Sequence, residues 1–337
     1  MLRHRLFATA FFLASAFGMA DVCAQVRPGP TDTVVDARAW LTRIHDAAST
    51  RNYQGTQVYT AAGVVSSSRI AHYCEGSDQY ERVEMLDGQM RRVFRYNDTV
   101  YTLWPDKQTA LVQRREAMPP FPALLSSNEQ RFTEHYELRL QGDDRLAGHD
   151  SQVFFLKPND KYRFAQRLWA DKASGLLLRA DVLGPHGEVL ESSAFSEVAI
   201  DVKPQPESVM QPLKRLEGYK VIRPVSHATQ MENEGWTLRS VAPGFQQISC
   251  IKRPLDVPGD GNGQSDEVVQ AIFSDGLTHV SLFIEPFDPQ RHQRQGSTAI
   301  GATHTLMRQQ GQWWVTVVGD VPLSTLKLFA QALERRR

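Results

Sequence analysis

The sequence is poor in cysteine, with three in 337 residues, and none of them lies in a CxxC pair or a cysteine-protease signature. A dense disulfide scaffold and a thiol oxidoreductase are therefore not expected. Net charge is equally scarce. Lys plus Arg and Asp plus Glu are 38 each, so no global basic field exists to neutralise a phosphate backbone, and no nucleic-acid partner is expected. No apolar run reaches the roughly 20 residues that carry a helix across a bilayer. The G-x-S-x-G elbow, the H-E-x-x-H helix and the G-x-x-x-x-G-K-[ST] loop are all missing, and with them the signatures of common hydrolases, zinc proteases and P-loop enzymes. No internal repeat points to a solenoid or propeller. No enzymatic activity and no cofactor are expected.

What is present is ordinary globular composition, 41% hydrophobic and 23% charged. A single core stops growing near about 250 to 300 residues, so the length favours two domains. Arg3 and Arg5 precede an uncharged apolar run from Leu6 to Ala20, the pattern of a secretory signal peptide with cleavage after Ala24, or alternatively after Ala20. Export to the periplasm follows as the expected location. Cleavage after Ala24 would remove Cys23 and leave Cys74 and Cys250. In an oxidising compartment these two can bridge or remain free thiols, and the sequence leaves both readings open.

Beyond a short Pro-containing linker, Ala39, Trp40, Ile44, Ala47 and Ala48 recur at helical spacing. Short β-branched and aromatic runs then follow from Tyr53, separated by Asp87-Gly88, Asn97-Asp98 and Pro105-Asp106. Connections this brief favour an antiparallel meander. After an apolar Pro-rich stretch at Met118 to Leu125, strands resume from Tyr136 to Ile200. So many sequential strands suit a curved, half-closed barrel around its helices. The two prolines of Lys203-Pro-Gln-Pro-Glu suggest a solvated linker. The expected organisation is a signal peptide over 1–24, a first domain over 34–203, a linker over 204–218 and a second domain over 219–337. The fold class is α+β, with the second domain a smaller antiparallel sheet covered by a C-terminal helix that follows Pro322.

Chemistry is sparse. His72, Cys74 and Glu75 approach a metal set, but zinc needs three or four ligands and no second cluster stands nearby, so no metal site is expected. Asp260, Asn262 and Asp266 sit in a Gly-rich loop that lacks the sixth-position Gly and twelfth-position Glu of a calcium loop. The first region does hold many Met and aromatic residues. Met85, Phe94, Tyr101, Trp104, Phe121, Leu124, Leu125 and Trp169 are either its core or the wall of an acyl-chain cleft. Arg69, Arg82 and Arg91 could meet an anionic headgroup at the rim of such a cleft, or form a solvated strand face.

Several strings resemble the MucB/RseB family of periplasmic regulators: Asn52-Tyr53-Gln54-Gly55-Thr56-Gln57-Val58-Tyr59, Ser68-Arg69-Ile70-Ala71-His72, Glu81-Arg82-Val83-Glu84-Met85-Leu86-Asp87-Gly88 and Arg91-Arg92-Val93. Leu168-Trp169-Ala170-Asp171, Ser174-Gly175-Leu176, Pro243-Gly244-Phe245, Phe273-Ser274-Asp275-Gly276-Leu277 and Val315-Thr316-Val317-Val318-Gly319 extend the match in order. The resemblance implies a first domain like the lipoprotein carriers LolA and LolB, enclosing its helices and sensing lipid. It further implies binding to the periplasmic part of a single-pass anti-sigma factor of the RseA/MucA kind, and shielding of that factor from a site-1 protease of the DegS type. Displacement by a lipid or lipopolysaccharide signal would end the shielding. A periplasmic lipid or lipoprotein carrier of the LolA type is the rival reading, and a homo-oligomer is left open. The family strings do not single out the contact residues, nor do they account for Cys74 or the Gly259 to Gly263 insertion.

Overall fold

A computed structural model describes residues 33–34, 37–114, 134–255 and 267–336. The expected signal peptide, the apolar stretch with Phe121, Leu124 and Leu125, and the Gly-rich loop with Asp260, Asn262 and Asp266 lie outside the described residues.

Strand β1 (Thr33–Val34) and helix α1 (Ala37–Thr50) precede β2 (Tyr53–Ala61), β3 (Val64–Glu75), β4 (Asp78–Met85), β5 (Arg92–Tyr96), β6 (Thr99–Trp104) and β7 (Thr109–Arg114). Then come β8 (Tyr136–Leu146), β9 (His149–Pro158), β10 (Ala165–Asp171), β11 (Leu177–Leu183), β12 (Val189–Ile200), helix α2 (Glu207–Lys214) and β13 (Lys220–Ile222). They form one open 13-stranded sheet in the order β1-β8-β9-β10-β11-β12-β2-β3-β4-β5-β6-β7-β13. Tight turns account for the meanders. Ala62 and Gly63, with φ of 50° and 78°, close the two-residue β2–β3 hairpin. Among the described residues the one parallel pairing, β13 beside β7, comes from the chain returning after α2.

Helix α1 buries Leu41, Ile44, Ala47 and Ala48, a stripe at helical spacing. Leu41 replaces the exposed Ala39 of the expected stripe. Under it lie Leu138, Phe154, Leu156, Leu168 and Leu177 on one side, and Tyr53, Ile70, Leu176 and Phe195 on the other.

The expected linker 204–218 contains a helix packed by one face on the larger sheet, although Gln205, Glu207, Gln211, Lys214, Arg215, Glu217 and Gly218 stay exposed. Its prolines mark a helix start, because Pro206 stands at the N-cap of α2, where the missing N–H leaves no hydrogen bond unmade. Val209 is fully buried against Ala71, Tyr73, Phe94, Leu103 and Ala110, with Met210 and Leu213 packed beside it. Helix α2 thus lies on the sheet face opposite α1. Strand β3 records this: Ile70 packs toward α1, while its neighbours Ala71 and Tyr73 pack toward α2. A strand covered on both faces reads as a continuous buried run, here Ile70 to Tyr73. Helices α1 and α2 therefore cover opposite faces of the larger sheet.

The remaining chain carries β14 (His227–Ala228), β15 (Trp236–Leu238), β16 (Gln246–Pro254), β17 (Glu267–Ser274), β18 (His279–Pro286), β19 (Gly296–Ile300), β20 (Thr303–Gln310), β21 (Trp313–Gly319), helix α3 (Leu323–Ala332) and β22 (Leu333–Arg335). Seven of these strands form a smaller sheet, β14-β16-β17-β18-β21-β20-β19, and β15 pairs with β22. Helix α3 covers it as expected, with Phe329 tilted on Phe273 and edge-on to Phe245 at centroid distances of 5.3 and 5.7 Å.

The described residues from Thr33 onward form one compact unit, and polar groups join its two sheets. Tyr136 Oη donates to Asp275 at 2.9 Å, Thr325 Oγ1 donates to the Tyr162 carbonyl at 2.8 Å, and the Ala302 N–H donates to Glu191 at 2.9 Å.

Candidate functional site

The structure divides the expected cleft residues among three surfaces. Phe94 is fully buried beneath α2, and Tyr101, its cross-strand partner, faces the same side. Met85 and Trp104 face the opposite side of the sheet, because side chains alternate along a strand. There Val83, Val93, Thr102 and Leu111 form a cross-strand ladder of half-buried residues between them. Trp169 stands elsewhere, with Nε1 donating to Asp144 at 2.9 Å and the Arg179 guanidinium 4.5 Å from its ring centre. That hydrogen bond holds the Asp144 carboxyl below its ordinary value. A single aromatic cleft is thus not assembled from these positions, since the strand alternation aims them at different faces.

The rim arginines divide in the same way. Arg91 Nη2 reaches Met85 Sδ at 3.8 Å and so accompanies the Met85–Trp104 band. Arg69 and Arg82 are on the α2 face, lining an open groove of about 410 Å³ with Gln54, Thr56, Glu197 and Ala199. Gly55 sits at its floor, where β2 passes close to β12. A Cβ there would run into the Glu197 carbonyl oxygen, where β12 bulges between Phe195 and Glu197. The Arg82 Nε is buried without an acceptor, and Glu197 is engaged by the Thr56 hydroxyl at 2.8 Å.

Between α1 and the sheet lies a buried polar set. His72 stacks on Tyr53 at 5.1 Å, and its Nδ1 meets the Arg51 carbonyl at 2.8 Å. Glu81 accepts from Arg95 Nη2, and Arg95 also donates to the Asn97 carbonyl at 3.0 Å. Burial drives the Tyr53 phenol far above its ordinary pKa. With its ring nitrogens and carboxylate so engaged, the group is structural chemistry that satisfies a buried surface. Cys74 shares the His72 face, as period two requires, but its thiol lies 3.2 Å from the Ser49 carbonyl. Among the described residues, no group of three or more His, Cys, Asp and Glu could hold a metal ion.

Cys74 and Cys250 are both free. Cys250 is buried in the core of the smaller sheet with Phe273 and Leu282, whereas Cys74 lies at the C-terminal end of α1 against the larger sheet. Burial raises both thiols, that of Cys250 to about 11. Period-two spacing gives no warning of this separation, since each strand reads alike whichever sheet it joins. Among the described residues no helix is long and apolar enough to cross a membrane.

The MucB/RseB N-terminal domain model matches residues 36–213, and the MucB/RseB C-terminal domain model matches 230–334. The first reaches into α2, consistent with that helix packing on the larger sheet. The chain is 26% identical to the sigma factor AlgU regulatory protein MucB of Pseudomonas aeruginosa, over 90% of this chain and 92% of the relative. It is 24% identical to the sigma-E factor regulatory protein RseB of Haemophilus influenzae, with the same coverage of each chain. Among solved structures, the Pseudomonas aeruginosa MucA/MucB complex contains a chain that matches with a TM-score of 0.66 and 25% identity, covering 90% of this chain and 100% of that one. A crystal structure of MucB in complex with MucA(peri) matches with a TM-score of 0.65 and the same identity and coverage. Two family models that together span both sheets leave one assignment: this chain is a member of the MucB/RseB family.

Proposed function

We propose that this protein is a periplasmic negative regulator of sigma-E-type envelope stress signalling, acting by binding the periplasmic region of a membrane anti-sigma factor of the RseA/MucA kind. The carrying observation is the match, along nearly the whole chain, to a relative solved with MucA bound. Binding of this sort needs surfaces and a stable scaffold, and no reacting group is invoked. The bound regulator shields its partner from site-1 proteolysis, and an amphiphile such as lipopolysaccharide releases it. A ligand that favours the partner-free protein weakens the partner reciprocally.

For the lipid step we favour the half-buried band from Met85 through Val93 to Trp104, with Arg91 beside Met85 to meet an anionic headgroup. Phe94 and Tyr101 are withdrawn from that role because they pack beneath α2. The test is a pull-down of the purified mature protein with the periplasmic segment of its anti-sigma factor, followed by digestion of that segment with the site-1 protease. Binding and slowed cleavage are expected. No binding, with cleavage at the unprotected rate, would overturn the proposal.

A further inference from the structure

A second groove, of about 600 Å³, runs along the outer face of β9, β10 and β11 to the start of α3. Its apolar wall comes from Phe155 and Leu183 of the larger sheet, from Phe164 and Pro185 in adjoining loops, and from Pro322 at the start of α3. Phe164 is anchored by stacking on His304 of β20 at 5.9 Å. The groove is also cationic. Lys157, Lys161, Arg163 and Arg167 line it against one carboxylate, Asp160, which is held by the fully buried Arg163 at 2.5 Å.

The other three cations are not neutralised in the same way. Arg167 Nε donates to the neutral Gln141 at 3.1 Å, and its cross-strand neighbour Asp181 is held by both ends of the Arg179 guanidinium at 2.8 Å. Lys157 lies across from Glu137, which is itself bound by Arg139 at 2.8 Å. Among the described residues, the Lys161 ammonium has no carboxylate within ion-pair distance and lies 5.9 Å from the Tyr162 ring centre. Glu188, at the far end, is turned back on the His186 N–H at 2.9 Å. The groove therefore offers an apolar wall and an excess of positive charge.

Lys157, Lys161, Pro185 and Gly187 are exposed along its edge, so an occupant keeps one side in water. That suits an amphipathic peptide better than a bare acyl chain, whose whole surface gains from burial. We infer that this groove docks a peptide segment in which carboxylates alternate with apolar side chains, and that this segment belongs to the anti-sigma factor's periplasmic region. The inference rests on the proposed function and names the surface that serves it. Apolar side chains fill the space between Phe155, Phe164 and Leu183, while acidic side chains reach Lys157, Lys161 and Arg167. Charge complementarity of this kind sets association rate and specificity, and it weakens as salt rises.

The test compares the parent protein with Lys157→Glu/Lys161→Glu, two exposed positions whose reversal leaves the core untouched, and with Lys327→Glu on α3 as a charge control. Binding of the purified periplasmic segment is measured by calorimetry at low and high salt, with circular dichroism to confirm the fold. The double variant is expected to lose at least about tenfold in affinity at low salt, less at high salt, while the control stays within about twofold of the parent. A benzophenone photo-crosslinker at Lys161 is expected to capture the segment. Undiminished affinity in the double variant overturns the groove assignment alone, and failure of the parent protein to bind the segment overturns the proposed function and this inference with it. Loss of binding to phosphatidylglycerol vesicles, with segment binding unchanged, also overturns the inference by giving the groove to a lipid headgroup.

Discussion

Arg163 and Asp275 lie 2.8 Å apart between the two sheets, and neither side chain reaches solvent. Around them, Asp160 and the Pro243 carbonyl also accept from Arg163, and Tyr136 donates to Asp275. The guanidinium rests 5.4 and 5.2 Å from the ring centres of Tyr136 and Phe245. The Arg163 Nε is close to Asp275 without being aimed for a hydrogen bond, so charge attraction carries that contact. Burial of this completeness is stable only while every member is present.

Arg163→Met is expected to lower stability by about 3 to 5 kcal/mol, because it leaves Asp275 buried without its cation. Urea denaturation followed by tryptophan fluorescence measures the loss. A midpoint unchanged from the parent would show that the pair is not maintained in solution.

Phe94 and Trp104 separate core from binding surface. Phe94→Ala removes a fully buried ring beneath α2 and is expected to cost about 3 to 5 kcal/mol. Trp104→Glu, at a half-buried position on the other face, should leave the fold intact and weaken acyl-chain binding more than binding of the peptide partner. Calorimetry with a detergent-solubilised lipid and with the peptide segment compares the two losses. Equal losses, with unfolding, would make Trp104 a core residue.

The thiols offer a direct count. With Cys74 and Cys250 in different sheets and both raised by burial, the mature native protein is expected to react slowly with iodoacetamide at neutral pH and quickly once unfolded in urea. Mass spectrometry of labelled protein, without prior reduction, should find both cysteines alkylated after unfolding. Resistance to labelling until a reductant is added would demonstrate a bridge.

Glu191 makes the junction sensitive to pH. Burial, opposed by the Tyr59 hydroxyl and the Ala302 N–H and aided by Asp320, raises its carboxyl above the ordinary value. The native state then holds the proton more tightly than the unfolded chain, so the contribution is complete below the unfolded pKa and is lost as pH rises through the folded one. Relative to Glu191→Gln, the parent protein should lose stability as pH is raised from about 4 toward neutrality. Denaturation curves for the two proteins across that range are the measurement, and a constant difference between them would refute the assignment.

Local pattern made much of this fold readable. Asn97-Asp98 and Asp87-Gly88 mark real turns, and strands open at Tyr53 and Tyr136 and close at Ile200 where the pattern places them. The 36–213 and 230–334 matches likewise reward strings visible in the chain itself. Helix α2 was not legible in that way, because Pro204 and Pro206 before it, Pro212 within it and its polar residues describe a linker equally well, and only contact with Phe94 and Tyr73 distinguishes the two. The cleft residues show the same limit. Period two says that Phe94 and Tyr101 share a face with each other, but not which helix covers that face.

By itself, the sequence determined where strands run, where they turn, that α1 and α3 are helices with an apolar face and which family the chain resembles, since each is decided by neighbours within a few residues. The tertiary structure alone decided that α1 and α2 take opposite faces, that Cys74 and Cys250 stay apart, and that Arg163 meets Asp275 more than a hundred positions along the chain. Those outcomes depend on which surfaces lose water together, and no local spacing encodes a contact between segments so far apart.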